Sequence, residues 1–337
     1  MATIKEVAIK ANVSTATVSR VLNDNYPTSQ EARDRVHAAI KELGYRPNAV
    51  ARSLKMNKTF MIGLVVPDIS NIYFMEIARG VESVISQLGY TLIFCSTDEN
   101  PEKEYRLLRA LNEKRVDYVI LASSMQESTR LNQLMDEGLN IIMVDTILSG
   151  TKANCIVEEN FDASYRLILH AIENGHKKFG IVNGILNVST ALERYEGYKK
   201  ALHEHGIEEH LEYTLEGGYN RAQAYERTLQ MLRTHKDNLP TLMYATNNEM
   251  TEGAMIAIKE VGLKIPEDIS IVSFGDITVP KLVVPRITCV VQDARAIGEK
   301  AGEVLIRSLD EAQMQLALKT YVIKSKMLIQ DSVAELQ

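Results

Sequence analysis

A chain of 337 residues, 45% apolar and 24% charged, has the balance of a globular protein and is too long for one ordinary domain. It holds no run of about 18 apolar residues, which argues against a membrane span. Its first six residues lack the basic segment, apolar core and small-residue cleavage site of a secretory signal, which argues against export. Cys95, Cys155 and Cys289 are far apart and form no CxxC pair, so three buried reduced thiols in a cytoplasmic protein are expected. The net charge of −6 is unevenly spread: residues 1–60 carry ten Lys/Arg against five Asp/Glu, the remainder 28 against 39. A basic head on an acidic body suggests that only the head meets a polyanion.

Three short helices are expected in the first 45 residues. Thr3 and Glu6 form a capping box, followed by Ile4, Val7, Ala8 and Ala11 at helical spacing. Asn12-Val13-Ser14 is a tight break, and Ser14 can cap a second helix carrying Val18, Val21 and Leu22. Thr28 and Glu31 form a second capping box, opening a helix with Ala32, Val36, Ala39, Ile40 and Leu43 on one face, which Gly44 is placed to end. Residues 49–55 form an amphipathic piece too short to be a stable helix alone.

From Phe60 onward the pattern changes to alternating strands and helices. Strands are expected at 61–66, 91–95, 116–122 and 140–144, with helices at 74–88, 102–114 and 128–137 between them. The rhythm restarts near Asp162, with strands at 179–182, 241–245 and 270–274 and a last one at 321–324. Such alternation predicts an α/β fold with parallel, doubly wound sheets, whose ligands bind beyond the C-terminal ends of the strands.

The first two helical segments suit a helix-turn-helix, in which the second helix enters the major groove and its first residues reach base edges. Thr15 and Ala16 carry methyls suited to thymine, and Arg20 can fork onto guanine. Ser14, Ser19 and Asn23 offer donors to phosphates. The same residues fit a plain three-helix bundle with surface hydroxyls.

The stretches TIKEVAIKANVSTATVSRVLN (3–23), ELGYRPNAVARSL (42–54), IGLVVPDISN (62–71) and VPRITCVVQ (284–292) resemble the lactose-repressor (LacI) family of transcription regulators. The resemblance implies a helix-turn-helix domain at 1–46, a hinge helix and linker at 47–59, and an effector-binding and dimerisation domain at 60–337. That last domain would be two lobes resembling periplasmic sugar-binding proteins, about 60–160 plus 290–320 and about 161–289 plus 321–330. It further implies a repressor acting as a homodimer on a pseudo-palindromic double-stranded DNA operator, without cofactor, metal or catalytic residues. Thr15, Ala16 and Arg20 match the family's DNA-contacting positions. Asn48, Ala51 and Leu54 match a hinge helix whose leucine wedges into the minor groove. In some relatives a phosphorylated carrier protein is a co-regulator, and these residues do not decide for or against one. The chain stops soon after the last expected strand, so a tetramerising tail is not expected.

By the same resemblance, Asp68, Ser70, Tyr73 and Phe74 belong to the first loop of an effector cleft, Asp145 follows a strand, and Arg194 grips the effector. Tyr219 packs on the ligand, and Asn247 is the family asparagine, although Asn248 replaces its usual aspartate neighbour. Thr146 stands where many members have arginine. At Ser273-Phe274-Gly275-Asp276 the first of two usual aspartates is missing. Without that acceptor Arg194 is less neutralised, which points to an anionic effector such as a sugar acid or a phosphorylated sugar. Alternatively Asp276 or Glu249 takes over and the ligand is neutral.

His203, His205 and His210 cluster, but positions i and i+2 do not share a helix face, so a solvated helix end is expected. A sugar-binding transport protein is opposed by the lack of a signal and by the basic head. An α/β enzyme acting on a sugar is opposed by the lack of any nucleophile-base or phosphate-loop motif.

Overall fold

The computed structural model describes residues 2–23, 27–45, 58–277, 282–310 and 318–336, in two units, Met1–Thr59 and Phe60–Gln337. The first unit contains α1 (Ile4–Lys10), α2 (Thr15–Asn23) and α3 (Gln30–Leu43) around Val7, Val18 and Val36, none of which keeps any exposed surface. Each such valine contributes roughly 1.5–3 kcal/mol by burial, so a head this small holds together on a few residues. The capping box at α1 is present: the Thr3 hydroxyl accepts the Glu6 N–H, and the Thr3 N–H donates to the Glu6 carboxylate at 2.7 Å. Asn12, at φ 51°, turns the chain, and the Thr17 N–H donates to Ser14 Oγ at 3.1 Å, closing the start of α2. Gly44 ends α3 at φ 56°, where a side chain would be strained.

The cap of α3 differs from expectation. Ser29, not Thr28, accepts the Ala32 N–H; Thr28 Oγ1 accepts from Arg33 Nε, and Glu31 pairs with Arg35. Either hydroxyl satisfies the spacing rule to within one residue, and only the backbone path into the helix selects between them.

The second unit has two six-stranded sheets. In the first, the order is β11 (Thr320–Ile323), β5 (Asn154–Glu158), β4 (Ile141–Val144), β3 (Tyr118–Leu121), β1 (Met61–Val66), β2 (Thr91–Ser96), and every pair is parallel. In the second, the order is β12 (Lys326–Leu328), β10 (Thr288–Val291), β9 (Ser270–Phe274), β8 (Leu242–Ala245), β6 (Phe179–Asn183), β7 (Thr214–Glu216), parallel except where β12 pairs antiparallel with β10. The apolar run of β1 follows from burial on both faces: Ile62, Leu64 and Val66 join one core and Val65 the other. The second sheet is likewise covered on both faces.

The chain passes between the sheets three times, after β5, after β10 and after β11. The third passage corrects the expected lobe boundary: residues 320–323 lie in the first sheet, and the chain enters the second only at Lys326. β12 is a further strand that hydropathy does not reveal, because all three of its residues are exposed.

Around the sheets run α4 (Ile72–Ile85), α5 (Pro101–Glu113), α6 (Thr129–Asp136), α7 (Asn160–Glu173), α8 (Ser189–Glu204), α9 (Arg221–Thr234), α10 (Asn248–Glu260) and α11 (Ala294–Asp310). Three helix pairs approach through glycine. A methyl at Gly298 of α11 would lie 2.1 Å from the Ile77 carbonyl of α4, one at Gly197 of α8 2.3 Å from the Phe161 carbonyl, and one at Gly253 of α10 2.3 Å from the Arg221 carbonyl. Among the described residues no helix is long and apolar enough to cross a membrane.

Candidate functional site

On the head, Thr15 and Ala16 occupy the first turn of α2 and Arg20 follows one turn after Ala16, all exposed, while Val18 and Val21 face the core. Ser14 is exposed but its hydroxyl already serves the helix start, also lying 2.9 Å from Thr17 Oγ1; Ser19 is half-buried. An exposed, capped helix start without an acidic residue in its first turn suits an anionic backbone. The Asn23 side chain and Asn48, Ala51 and Leu54 lie outside the described residues.

The cleft between the two sheets gathers residues that follow the C-terminal ends of strands from both. Pro67 and Asp68 follow β1, Glu99 follows β2, Ser123 follows β3, and Asp145 and Thr146 follow β4. From the second lobe come Val188, Thr190 and Arg194, Tyr219 after β7, Asn247 and Asn248 after β8, and Gln292 after β10. This convergence is what two parallel sheets facing one crevice produce. Glu99, Asp145 and Tyr219 line it at positive φ (54°, 66° and 59°), a conformation that costs a non-glycine residue energy and that surrounding contacts must hold.

Arg194 is 3% exposed and nearly enclosed. Its Nε donates to Asn160 Oδ1 at 2.8 Å, its Nη1 to the Thr246 carbonyl at 2.7 Å, and its guanidinium stacks 3.8 Å from the Phe274 ring centroid. Tyr73 donates to Asp145 Oδ1 at 2.8 Å. Burial pushes the Asp145 carboxyl above the usual carboxylate range, and the Arg194 charge and the Tyr73 hydroxyl pull it partly back. Burial raises Glu99 to about 7, its neighbours Asp145, Glu104 and Asp68 adding to the rise and the Ser124 hydroxyl opposing it. The Tyr219 hydroxyl lies 2.8 Å from Thr190 Oγ1, and its ring lies over Gly184, where a methyl would come within 2.3 Å of it.

Six of the expected cleft residues therefore come together with Asp68: Tyr73, Phe74, Asp145, Arg194, Tyr219 and Asn247 line one space. Asp68 sits at the mouth, bonded to the Ser70 N–H at 2.7 Å and to the Ser70 hydroxyl. Ser70 lines instead a wider, more open space that shares Asp68 and Tyr219 with the cleft and continues beside Asn220, Arg221 and Glu249. Asn247 caps α10, accepting the Met250 N–H at 2.8 Å. Asp276 is not among the residues lining the cleft, and its Oδ1 is buried without a hydrogen-bond partner among the described residues.

The structure gives Arg194 acceptors that its place in the sequence does not show. Asp145 shares its field, two of its nitrogens are bonded, and Asp68, Glu99 and Asp145 all line the cleft, where Arg194 is the one lining cation among the described residues. Gly275 has another reason to be glycine: at φ 93°, a methyl there would lie 2.9 Å from Gln292 Oε1. Gln292 donates in turn to Glu158 Oε2 at 2.5 Å. Asn71, Glu99, Ser123, Thr190 and Gln292 were not among the expected cleft residues, although they follow β1, β2, β3, β6 and β10, where the rule that ligands bind past strand ends points.

His205 Nδ1 faces the Ala201 carbonyl and His210 pairs with Glu212. Among the described residues no group of three or more His, Cys, Asp or Glu is placed to hold a metal ion.

A helix-turn-helix unit followed by a two-lobed unit with a polar cleft at its strand ends defines a ligand-controlled DNA-binding protein. The comparisons with known proteins specify the class. Residues 3–48 match the family of bacterial regulatory proteins, lacI family, and residues 59–324 match periplasmic binding proteins and the sugar binding domain of the LacI family. The HTH-type transcriptional repressor PurR of Haemophilus influenzae (strain PittEE) is 37% identical over 309 residues, 92% of this chain and 91% of that one. The PurR repressor of Actinobacillus pleuropneumoniae serotype 3 (strain JL03) is 36% identical over 338 residues, 100% and 99% of the two chains. The structure of the lac repressor dimer bound to operator and the anti-inducer ONPF superposes with a TM-score of 0.85 at 25% identity, over 99% of each chain. The chain belongs to the LacI family. It is a DNA-binding transcriptional repressor whose activity a small molecule controls, and not an enzyme.

Proposed function

We propose that the protein acts in the cytoplasm as a homodimer, reading a pseudo-palindromic operator through paired α2 helices and the 47–59 segment. Thr15, Ala16 and Arg20 read bases, Ser14, Ser19 and Asn23 meet phosphates, and Asn48, Ala51 and Leu54 form the hinge, with Leu54 the wedge. Operator affinity is set by a polar, non-anionic effector, a sugar or sugar derivative, held by Asp68, Tyr73, Phe74, Asp145, Arg194, Tyr219 and Asn247. One observation carries the effector class: three carboxylates line the cleft against the single guanidinium of Arg194, itself held in place by Asn160, Thr246 and Phe274. An added anion would find two nitrogens of its one cationic partner already bonded, whereas hydroxyls can both donate to and accept from three carboxyl groups, two of which burial pushes toward the protonated form. The lac repressor structure, a dimer on its operator, supports the assembly.

Selection of the full-length protein on random duplex should enrich symmetric half-sites, and Arg20→Ala should relax preference at one base position by about 1–3 kcal/mol. No preference for any symmetric duplex at physiological salt overturns the operator reading. Thermal stabilisation by acidic sugars, and not by matched neutral or amino sugars, overturns the effector reading.

A further inference from the structure

Asn71 and Asn248 come from different lobes and meet over the cleft. Asn71 closes the loop after β1 and caps α4, its Oδ1 accepting the Tyr73 N–H at 3.0 Å; Asn248 is the first residue of α10. Asn71 Nδ2 donates to Asn248 Oδ1 at 3.3 Å, and Asn248 Nδ2 donates to Asn71 Oδ1 at 3.1 Å. The two residues are 7% and 5% exposed. Each carboxamide thus gives and accepts one bond across the gap, which needs a donor and an acceptor side by side on both partners; a carboxylate or an aliphatic chain at either position cannot do this. Away from water, removing one partner leaves the other unsatisfied.

The space beneath the pair is small. The cleft cavity is about 50 Å³, against the roughly 150 Å³ of a cavity that admits a benzene ring. It holds a few water molecules and not a sugar ring. An effector of that size therefore needs the lobes to part, and the asparagine pair bonds one lobe to the other. A second bond between the lobes runs from the Ile147 N–H to Ser189 Oγ at 2.9 Å.

We propose that the Asn71–Asn248 carboxamide pair is a latch that holds the lobes closed, and that the effector enters only when it opens. The proposal rests on the cleft being the effector site. Its consequence is that the pair sets how much of the effector's binding energy is spent on opening, and hence its apparent affinity.

Hydrogen exchange of the full chain, with neither operator nor effector present, tests the latch. Asn248→Ala leaves the α10 cap at Asn247 intact, yet should speed exchange of the lobe 1 segment 68–76 about tenfold. Asn71→Asp keeps a side-chain cap on α4 and should speed exchange of the lobe 2 segment 247–251 similarly. Amides of β3 and β8 serve as the folding reference and should not change. Deprotection confined to the lobe that carries the substitution, in both variants, overturns the latch. Because no effector or operator is used, that failure leaves the operator selection untouched, and a failed selection leaves the latch standing.

Discussion

Gly298→Ala offers a quantitative test of how the cleft is positioned. A methyl there would lie 2.1 Å from the Ile77 carbonyl oxygen and 2.9 Å from the Val81 nitrogen, and one at Gly80 would lie 2.2 Å from the Arg295 carbonyl oxygen. All of these atoms are backbone, so no rotamer change relieves them. Reaching ordinary contact requires α4 and α11 to separate by about 1 Å, which loosens Ile77, Val81, Ile297 and Ala301 in one core. Alanine gains about 1 kcal/mol in helix propensity, while overpacking a tight core costs about 1–3 kcal/mol or more. The clash is with rigid backbone, so the upper end applies and the net loss should be about 2 kcal/mol. For a unit of this size that is a fall in Tm of about 3–4 °C. Gly63→Ala is the contrast: its methyl would meet only the side-chain ends of Leu111 at 2.8 Å and Val119 at 3.4 Å, which can move, so it should cost less than about 1 kcal/mol. Thermal unfolding of the full chain followed by circular dichroism compares the two. If Gly298→Ala is as stable as the parent, or Gly63→Ala is the more damaging change, the close helix approach is not what holds α4, and with it Tyr73 and Phe74, in place.

Glu104 is fully buried, bonded by the Ser123 hydroxyl at 2.6 Å and the Ser124 N–H at 2.7 Å, and burial nonetheless lifts it from 4.5 to about 7. Between those values the folded state keeps a proton that the unfolded chain has lost, so stability falls as pH rises through the window, by on the order of 3 kcal/mol from this group. Glu104→Gln should remove that share of the slope in urea titrations between pH 4.5 and 8; an unchanged slope refutes the assignment. Ser29→Ala should cost the head about 1 kcal/mol through loss of its cap and speed exchange of the Ala32 amide, whereas Thr28→Ala should leave that amide unchanged. The reverse order would restore Thr28 as the cap.

Helix and strand identities were legible in local order. The alternation of β1 between two cores, the capping box of α1 and Gly44 as a helix stop follow from residue type and spacing within one or two turns of chain. Most of the cleft was legible through motif position, because Tyr73, Asp145, Arg194 and Tyr219 each follow or flank a recognisable strand or helix. Pairings between distant segments were not: β12 bonds to β10, Asn71 to Asn248, and Gln292 takes the space beside Gly275. Arg194 looked short of a counter-charge only because its neighbours in space, Asp145 above all, are far away in the chain. Local propensity is written in short-range spacing, whereas charge balance, helix approach and contacts between lobes depend on which residues folding brings within a few ångströms, and only the tertiary structure decides that.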